Sequence, residues 1–243
     1  MKHDGNLGSF EANLYSRQSR VLSQNPRVLE DHYRIMARWY GMFLGRHLPE
    51  DRQARILDVP CGHGRLMYAL RQTGYTNVTG YDLDEGRVRI ARQWGLNAHV
   101  SDAFVALAEN KDVRLLASLD FIEHLEKARV GDFLRQCHET LCGEGTLIIR
   151  TPFADSFFGH EDLGMDFTHK WAACSGIVRE LILDAGFRHC IIRDEAPQPV
   201  SVLHTMRVMA SKVLRPVTNL WLICLGLRPR RVWASSGWLI ATK

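Results

Sequence analysis

Apolar and polar positions repeat with two alternating periods along the chain. Over residues 29–48, Tyr33, Ile35, Met36, Trp39, Tyr40, Phe43 and Leu44 recur at three-to-four spacing and Pro49 follows, which predicts a helix running into a loop. Residues 55–59 are a short apolar run stopped by Pro60 and two glycines, the pattern of a buried strand entering a tight turn. A helix over 65–72, a strand over 78–81, a helix over 85–94 ended by Gly95, and strands over 97–100, 113–117 and 146–151 follow. Between the last two, Val130, Phe133, Leu134, Cys137 and Leu141 fall on one helical face. Beyond Pro152, a loop rich in Phe, Gly, His and Asp leads to a helix over 175–185 stopped by Gly186, and strand-like runs over 189–193 and 238–242 close the pattern. Strands alternating with helices at this rhythm predict an α/β fold of βαβ units, a doubly wound parallel sheet with helices on both faces. The expected organisation is a helical cap over 1–50, a core over 51–195 and a basic extension over 196–243 that includes the last strand.

Composition narrows the picture a little. In 243 residues, 46% hydrophobic and 24% charged side chains exclude disordered, collagenous and low-complexity classes. Six cysteines, at 61, 137, 142, 174, 190 and 224, form no CxxC pair, so a zinc ribbon or a disulfide framework is not expected and a reducing compartment fits. The first twenty residues lack an apolar signal segment, and no run reaches the ~18–20 apolar residues of a membrane span. A cytoplasmic protein is expected. Charge is uneven: the formal net charge is +4, yet no acidic residue follows Glu195 while seven basic ones do, so the last 48 residues carry +7 and the rest −3.

The candidate chemistry starts at the loop ILDVPCGHGRL, where Gly62 and Gly64 allow close backbone approach to a ligand ahead of a helix N-terminus. A dinucleotide site of the G-x-G-x-x-G type would need glycine where Met67 stands, and a phosphate-binding P-loop would need Gly-Lys-Ser/Thr, which is missing. Instead, acids end three successive strands: Asp58, Asp82 and Asp102. Asp82 falls 18 residues after Gly64, close to the spacing at which an acid meets ribose hydroxyls. Such a rim suits a ligand with a nucleoside and a positive charge and repels phosphates.

This set resembles the class I S-adenosylmethionine-dependent methyltransferases. ILDVPCGHGRL stands as the cofactor loop, GYDLD as the ribose acid, VSDAF as the adenine segment, LASLDFIEHL as the fourth-strand motif and LCGEGTLIIRTPF as the fifth. The resemblance implies a seven-stranded Rossmann-like sheet with an N-terminal helical cap and a C-terminal helical extension. It implies S-adenosylmethionine as cofactor, held by Asp58, Pro60, Cys61, Gly62, Gly64, Asp82, Leu83, Asp102, Ala103 and Leu119. Pro60 departs from the family's first glycine and donates no N–H, which leaves the neighbouring amides to hold the cofactor.

Two histidines follow the fourth and fifth strands, His124 and His169, and either is a candidate base, with Glu123 or Asp166 fixing its tautomer. The rival reading is structural, a capping or loop histidine in each case. A second rival is a divalent metal on Asp120, Glu123, His124 and His169, similar to the magnesium site of small-RNA 2′-O-methyltransferases; no metal is the expectation carried forward. The segment from TPF to AGF resembles methyltransferases of bacterial cell-surface polysaccharide synthesis, with Met165 replacing a glycine before Asp166. That implies O-methylation of a sugar hydroxyl, or of a terminal phosphate, on a small-molecule or lipid-linked glycan. A phenol, quinone or natural product, an RNA 2′-hydroxyl, and a non-enzymatic scaffold remain alternatives. The acid-free tail mixes apolar residues with Arg207, Lys212, Arg215 and the RPRR cluster, and is expected to touch a membrane surface through 203–231, to pack over the site, or to form a dimer contact; nucleic acid is a weaker partner.

Overall fold

The computed structural model describes residues 26–157, 159, 166–195 and 202–243. Its strands are β1 (Ile56–Asp58), β2 (Val78–Asp82), β3 (Asn97–Val100), β4 (Val113–Leu119), β5 (Leu141–Pro152), β6 (His189–Asp194) and β7 (Ser236–Thr242). Its helices are α1 (Pro26–Leu44), α2 (Arg65–Gln72), α3 (Glu85–Gln93), α4 (Ala103–Glu109), α5 (Lys127–Thr140), α6 (Ser175–Asp184) and α7 (Val202–Cys224). One sheet holds all seven strands in the order β3-β2-β1-β4-β5-β7-β6.

Strand residues one apart in sequence face opposite layers. Ile56, Leu115 and Ile148 join Tyr40, Phe43 and Trp238 beneath α1 and α2, whereas their neighbours Leu57, Leu116 and Ile149 join Phe133 and Leu134 beneath α5. Burial on both faces is why residues 56–57 of β1 and 115–117 of β4 read as short apolar runs rather than alternating ones.

The sheet is mixed rather than wholly parallel: β7 runs antiparallel to both β5 and β6 and slots between them. Helix α7 lies between β6 and β7, yet the chain returns so that β7 runs antiparallel to its neighbours. Pro26 opens α1, a position where the missing N–H costs nothing. Helix α4 was not expected; its seven residues are too few to show a period, and it is capped by Asp102. Residues 1–25 of the expected cap, and Met165, lie outside the described residues. Strand order reverses between β1 and β4, the place where open α/β sheets leave a crevice outside the strand carboxyl ends.

Candidate active site

At β1 the chain leaves Asp58, passes a cis Val59–Pro60 bond and turns through Cys61 to Gly64. Gly62 and Gly64 adopt φ of 54° and 83°, a left-handed backbone that glycine takes without strain. A Cβ on Gly64 would also lie 2.4 Å from Leu96 Cδ1 and 3.2 Å from Ala91 Cβ, so this position disfavours a larger residue, whereas Gly62 faces open space. The Cys61 amide donates to the Tyr81 carbonyl at 2.8 Å and the Gly64 amide to the Cys61 carbonyl at 2.9 Å, which ties the turn to β2. The Cys61 side chain is buried with Met67 and Tyr68; burial pushes its thiol pKa up, with Asp58 and Asp82 adding to the effect, so the residue offers backbone rather than a thiolate. From α1, the Tyr33 hydroxyl donates to the His63 carbonyl while its ring stacks on Trp94 at 4.9 Å. Tyr33 therefore clamps the loop from outside, a role its place in an apolar stripe did not disclose.

Two of the three acids meet at this turn. Asp58 and Asp82 are 2% and 5% exposed. Burial raises the Asp58 pKa well above the usual carboxylate range and the Asp82 charge raises it further. Burial also raises Asp82, opposed by the amides of Asp84 and Gly62, which donate to it at 2.9 and 2.8 Å, and by Arg87. Asp58 Oδ1 is buried with no hydrogen-bond partner, a state that native sites relieve with a donor or a cation. The third acid, Asp102, is exposed and accepts from the amides of Phe104 and Val105 as the cap of α4, so it positions Ala103 and that helix. Leu83 stands 72% exposed beside Asp82, and Leu119, half-buried, ends β4 across the crevice.

The other half of the crevice is built after β4. Asp120 has φ 52°, a conformation Asp tolerates better than most residues, and turns the chain into the short 3-10 segment Ile122–His124. Three contacts latch the loop after β5 onto it. Trp171 Nε1 donates to the Ile122 carbonyl at 2.9 Å, the Lys170 amide donates to the Glu123 carbonyl at 2.9 Å, and His124 Nδ1 lies 2.9 Å from Thr168 Oγ1. The latch brings His124 and His169, 45 residues apart in the chain, to a ring separation of 4.8 Å.

Thr168 decides the tautomer. Its hydroxyl donates to Asp166 Oδ1 at 2.7 Å, so its oxygen can only accept from His124. The proton is thereby assigned to His124 Nδ1, leaving Nε2 as the basic nitrogen. Burial lowers the His124 pKa and the nearby His169 lowers it further, against a partial upward pull from Asp166. Burial of Asp166 works against its charge, but the Thr168 hydrogen bonds and the two histidines hold its carboxyl below the usual range. Of the two expected orienting acids, Asp166 is linked to His124 through Thr168, a residue that carries no signal in the sequence because a lone threonine in a loop has no spacing pattern.

Glu123 does something else. It is fully buried, accepts from Thr151 Oγ1 at 3.0 Å, and its pKa is pushed up to about 8 by burial and by Asp120. Glu123, His124 and His169 each offer a donor atom within 4.8 Å of the others, and Glu123 Oε1 and His169 Nδ1 are buried without a partner. A carboxylate and two imidazoles at that spacing form a donor set a divalent cation accepts. Asp120, the fourth residue of the metal reading, is held instead by Arg150, which also pairs with Glu195 at 2.9 Å. Arg150 and Glu195 line a cavity of about 650 Å³ with Trp39, Phe157, Trp233 and the inner side of α7.

Residues 56–149 match a family model described as a methyltransferase domain. No curated protein matches the chain in sequence. Among solved structures, the chain is similar to a SAM-dependent methyltransferase from Archaeoglobus fulgidus, at 20% identity over 89% of this chain and 98% of that one, with a TM-score of 0.64. It is similar to a second from Mesorhizobium loti, at 17% identity over 84% and 98%, with a TM-score of 0.60. It also superposes on a Haemonchus contortus phosphoethanolamine N-methyltransferase 2 in complex with S-adenosyl-L-methionine, at 16% identity over 83% of this chain and 51% of that one, with a TM-score of 0.58. At these identities the likeness establishes the Rossmann-like methyltransferase fold, and with the domain match it supports a SAM-dependent methyltransferase. The residues present fit that cofactor: a turn with open space at Gly62, a buried carboxylate at the end of β2, and an unpartnered Asp58 oxygen suited to a positively charged donor.

Proposed function

We propose that the chain transfers a methyl group to a hydroxyl oxygen of a sugar in surface-glycan synthesis, with His124 as the base. When bound, S-adenosylmethionine supplies an electrophilic methyl group on a sulfonium. Asp82 accepts from the ribose hydroxyls, Gly62 and Gly64 keep the loop open to the backbone, and Asp58 faces the positive end. His124 Nε2 removes the acceptor's hydroxyl proton, while Asp166 through Thr168 holds the Nδ1–H tautomer and steadies the imidazolium that results.

The observation that carries the reading is the Asp166–Thr168–His124 relay, because a hydroxyl needs a positioned base to react at neutral pH. The depressed His124 pKa keeps that base unprotonated there. A sugar acceptor is supported by the adjacent cavity, whose Trp39 and Trp233 offer flat apolar faces and whose Arg150 and Glu195 offer charged hydrogen-bonding groups. Arg150 ties that wall to the site by its ion pair with Asp120, two residues ahead of Ile122.

The test is methyl transfer from labelled cofactor to nucleotide sugars, lipid-linked glycans, small phenols and RNA. Label on a glycan hydroxyl, lost in His124→Ala, is the expected result. Label confined to phenols or to RNA would overturn the acceptor assignment.

A further inference from the structure

Helix α7 is folded inside out. Its inward stripe, at three-to-four spacing, is Ser211, Arg215, Thr218, Asn219 and Leu222, mostly polar. Ser211 and Thr218 donate back to carbonyls of their own helix, and Arg215 and Asn219 are satisfied against the body. Arg215 pairs with Asp194, whose other oxygen accepts from the Trp233 and Ala234 amides at 3.0 and 2.9 Å. Asn219 exchanges two hydrogen bonds with the Arg230 backbone, at 3.1 and 2.9 Å. The opposite stripe is apolar and faces out: Met206, Met209, Val213, Val217, Leu220 and Trp221 are each 58–65% exposed.

A helix on the surface of a water-soluble body normally buries its apolar stripe, so the reversed arrangement marks a face made for another apolar phase. We infer that this face rests on an anionic lipid surface, with α7 lying in the plane of the headgroups. Three features select that occupant. Arg207 and Lys212 sit at the two margins of the outward stripe, where long cationic side chains can cover apolar surface and still reach headgroups. Arg228 and Arg231 follow, both exposed, and no acidic residue occurs anywhere from Ala196 to Lys243. A second copy docked through the same face would set these cations against their own counterparts with nothing to neutralise them, whereas phospholipid phosphates do so directly. No described helix is long and apolar enough to cross a membrane, so α7 lies on the surface rather than through it. Because the inner side of α7 lines the cavity beside Arg150, this contact would hold that cavity close to the lipid headgroups.

The experiment is flotation of the full chain with vesicles of phosphatidylglycerol and phosphatidylethanolamine, against vesicles of phosphatidylcholine alone. It compares the intact protein with a triple variant, Val217→Ser, Leu220→Ser and Trp221→Ser, and with the charge variant Arg207→Glu, Lys212→Glu. All five positions are exposed, so unchanged melting curves are expected to certify the fold. The intact chain should float with the anionic vesicles and at least tenfold less with the neutral ones, and both variants should lose at least tenfold of that binding. Absence of flotation, equal flotation of the triple variant, or a dimer in light scattering that the triple variant dissolves would overturn the inference. None of these outcomes depends on cofactor binding or on the acceptor.

Discussion

The two halves of the crevice solve opposite problems. On the β1–β2 side the chain assembles buried carboxylates, Asp58 and Asp82, on rigid strand ends beside a glycine turn. On the β4–β5 side it assembles two imidazoles and a buried acid from segments 45 residues apart, held by loop-to-loop hydrogen bonds. The first half is built by local sequence and is suited to holding a fixed cationic group. The second is built by tertiary contacts and is suited to moving a proton. Binding and proton transfer should therefore separate cleanly on mutation.

The largest separation is expected at His124. With an acceptor identified by the transfer screen, His124→Ala should lower kcat by about 10²–10⁴-fold while cofactor affinity stays unchanged. A parallel loss of affinity would erase the division between the halves. The intact enzyme should also keep its activity to a pH below the ordinary histidine range, since burial and His169 both lower the His124 pKa.

A smaller effect is expected at Thr168, a positioning residue. Thr168→Val removes the link to Asp166, and kcat should fall about tenfold on loss of one oriented hydrogen bond. Because the Thr168 hydroxyl oxygen accepts from His124 Nδ1–H and so favours the imidazolium, its loss should move the acidic limb of the pH–rate profile further down. A slower enzyme with an unmoved profile would mark Thr168 as structural only.

Glu123 gives the most pH-dependent contrast, read in stability rather than in turnover. Its pKa stands at about 8 in the fold against an ordinary 4.5, so the native state holds more protons than the unfolded chain between those values. Its contribution is fully present below about pH 4.5 and is lost as pH rises through 8, with a slope of at most about 1.4 kcal/mol per pH unit. Urea denaturation at pH 5 and pH 8 should show that slope in the intact protein and a flatter one in Glu123→Gln. Identical slopes would mean Glu123 ionises freely.

Legibility in the sequence follows the same division. Asp58, Gly62, Gly64 and Asp82 were readable because strand, turn and acid lie within one βαβ unit. Asp102 was readable as a residue, but its work as the cap of α4 was not, because seven helical residues show no period. The histidines were readable as candidates, but their pairing, the Thr168 link and the Tyr33 clamp depend on contacts between distant segments. In α7 the amphipathic pattern was plain, yet which stripe faced inward was decided by Asp194 and the Arg230 backbone, which no periodicity reveals.

The central claim is that the β1–β2 half holds S-adenosylmethionine through Asp82. Calorimetric titration of the cofactor into the intact protein and into Asp82→Ala tests it without an acceptor. Saturable one-to-one binding that weakens about a hundredfold in the variant is expected from loss of charge-assisted hydrogen bonds to the ribose. No binding to the intact protein, or equal affinity in Asp82→Ala, would contradict it.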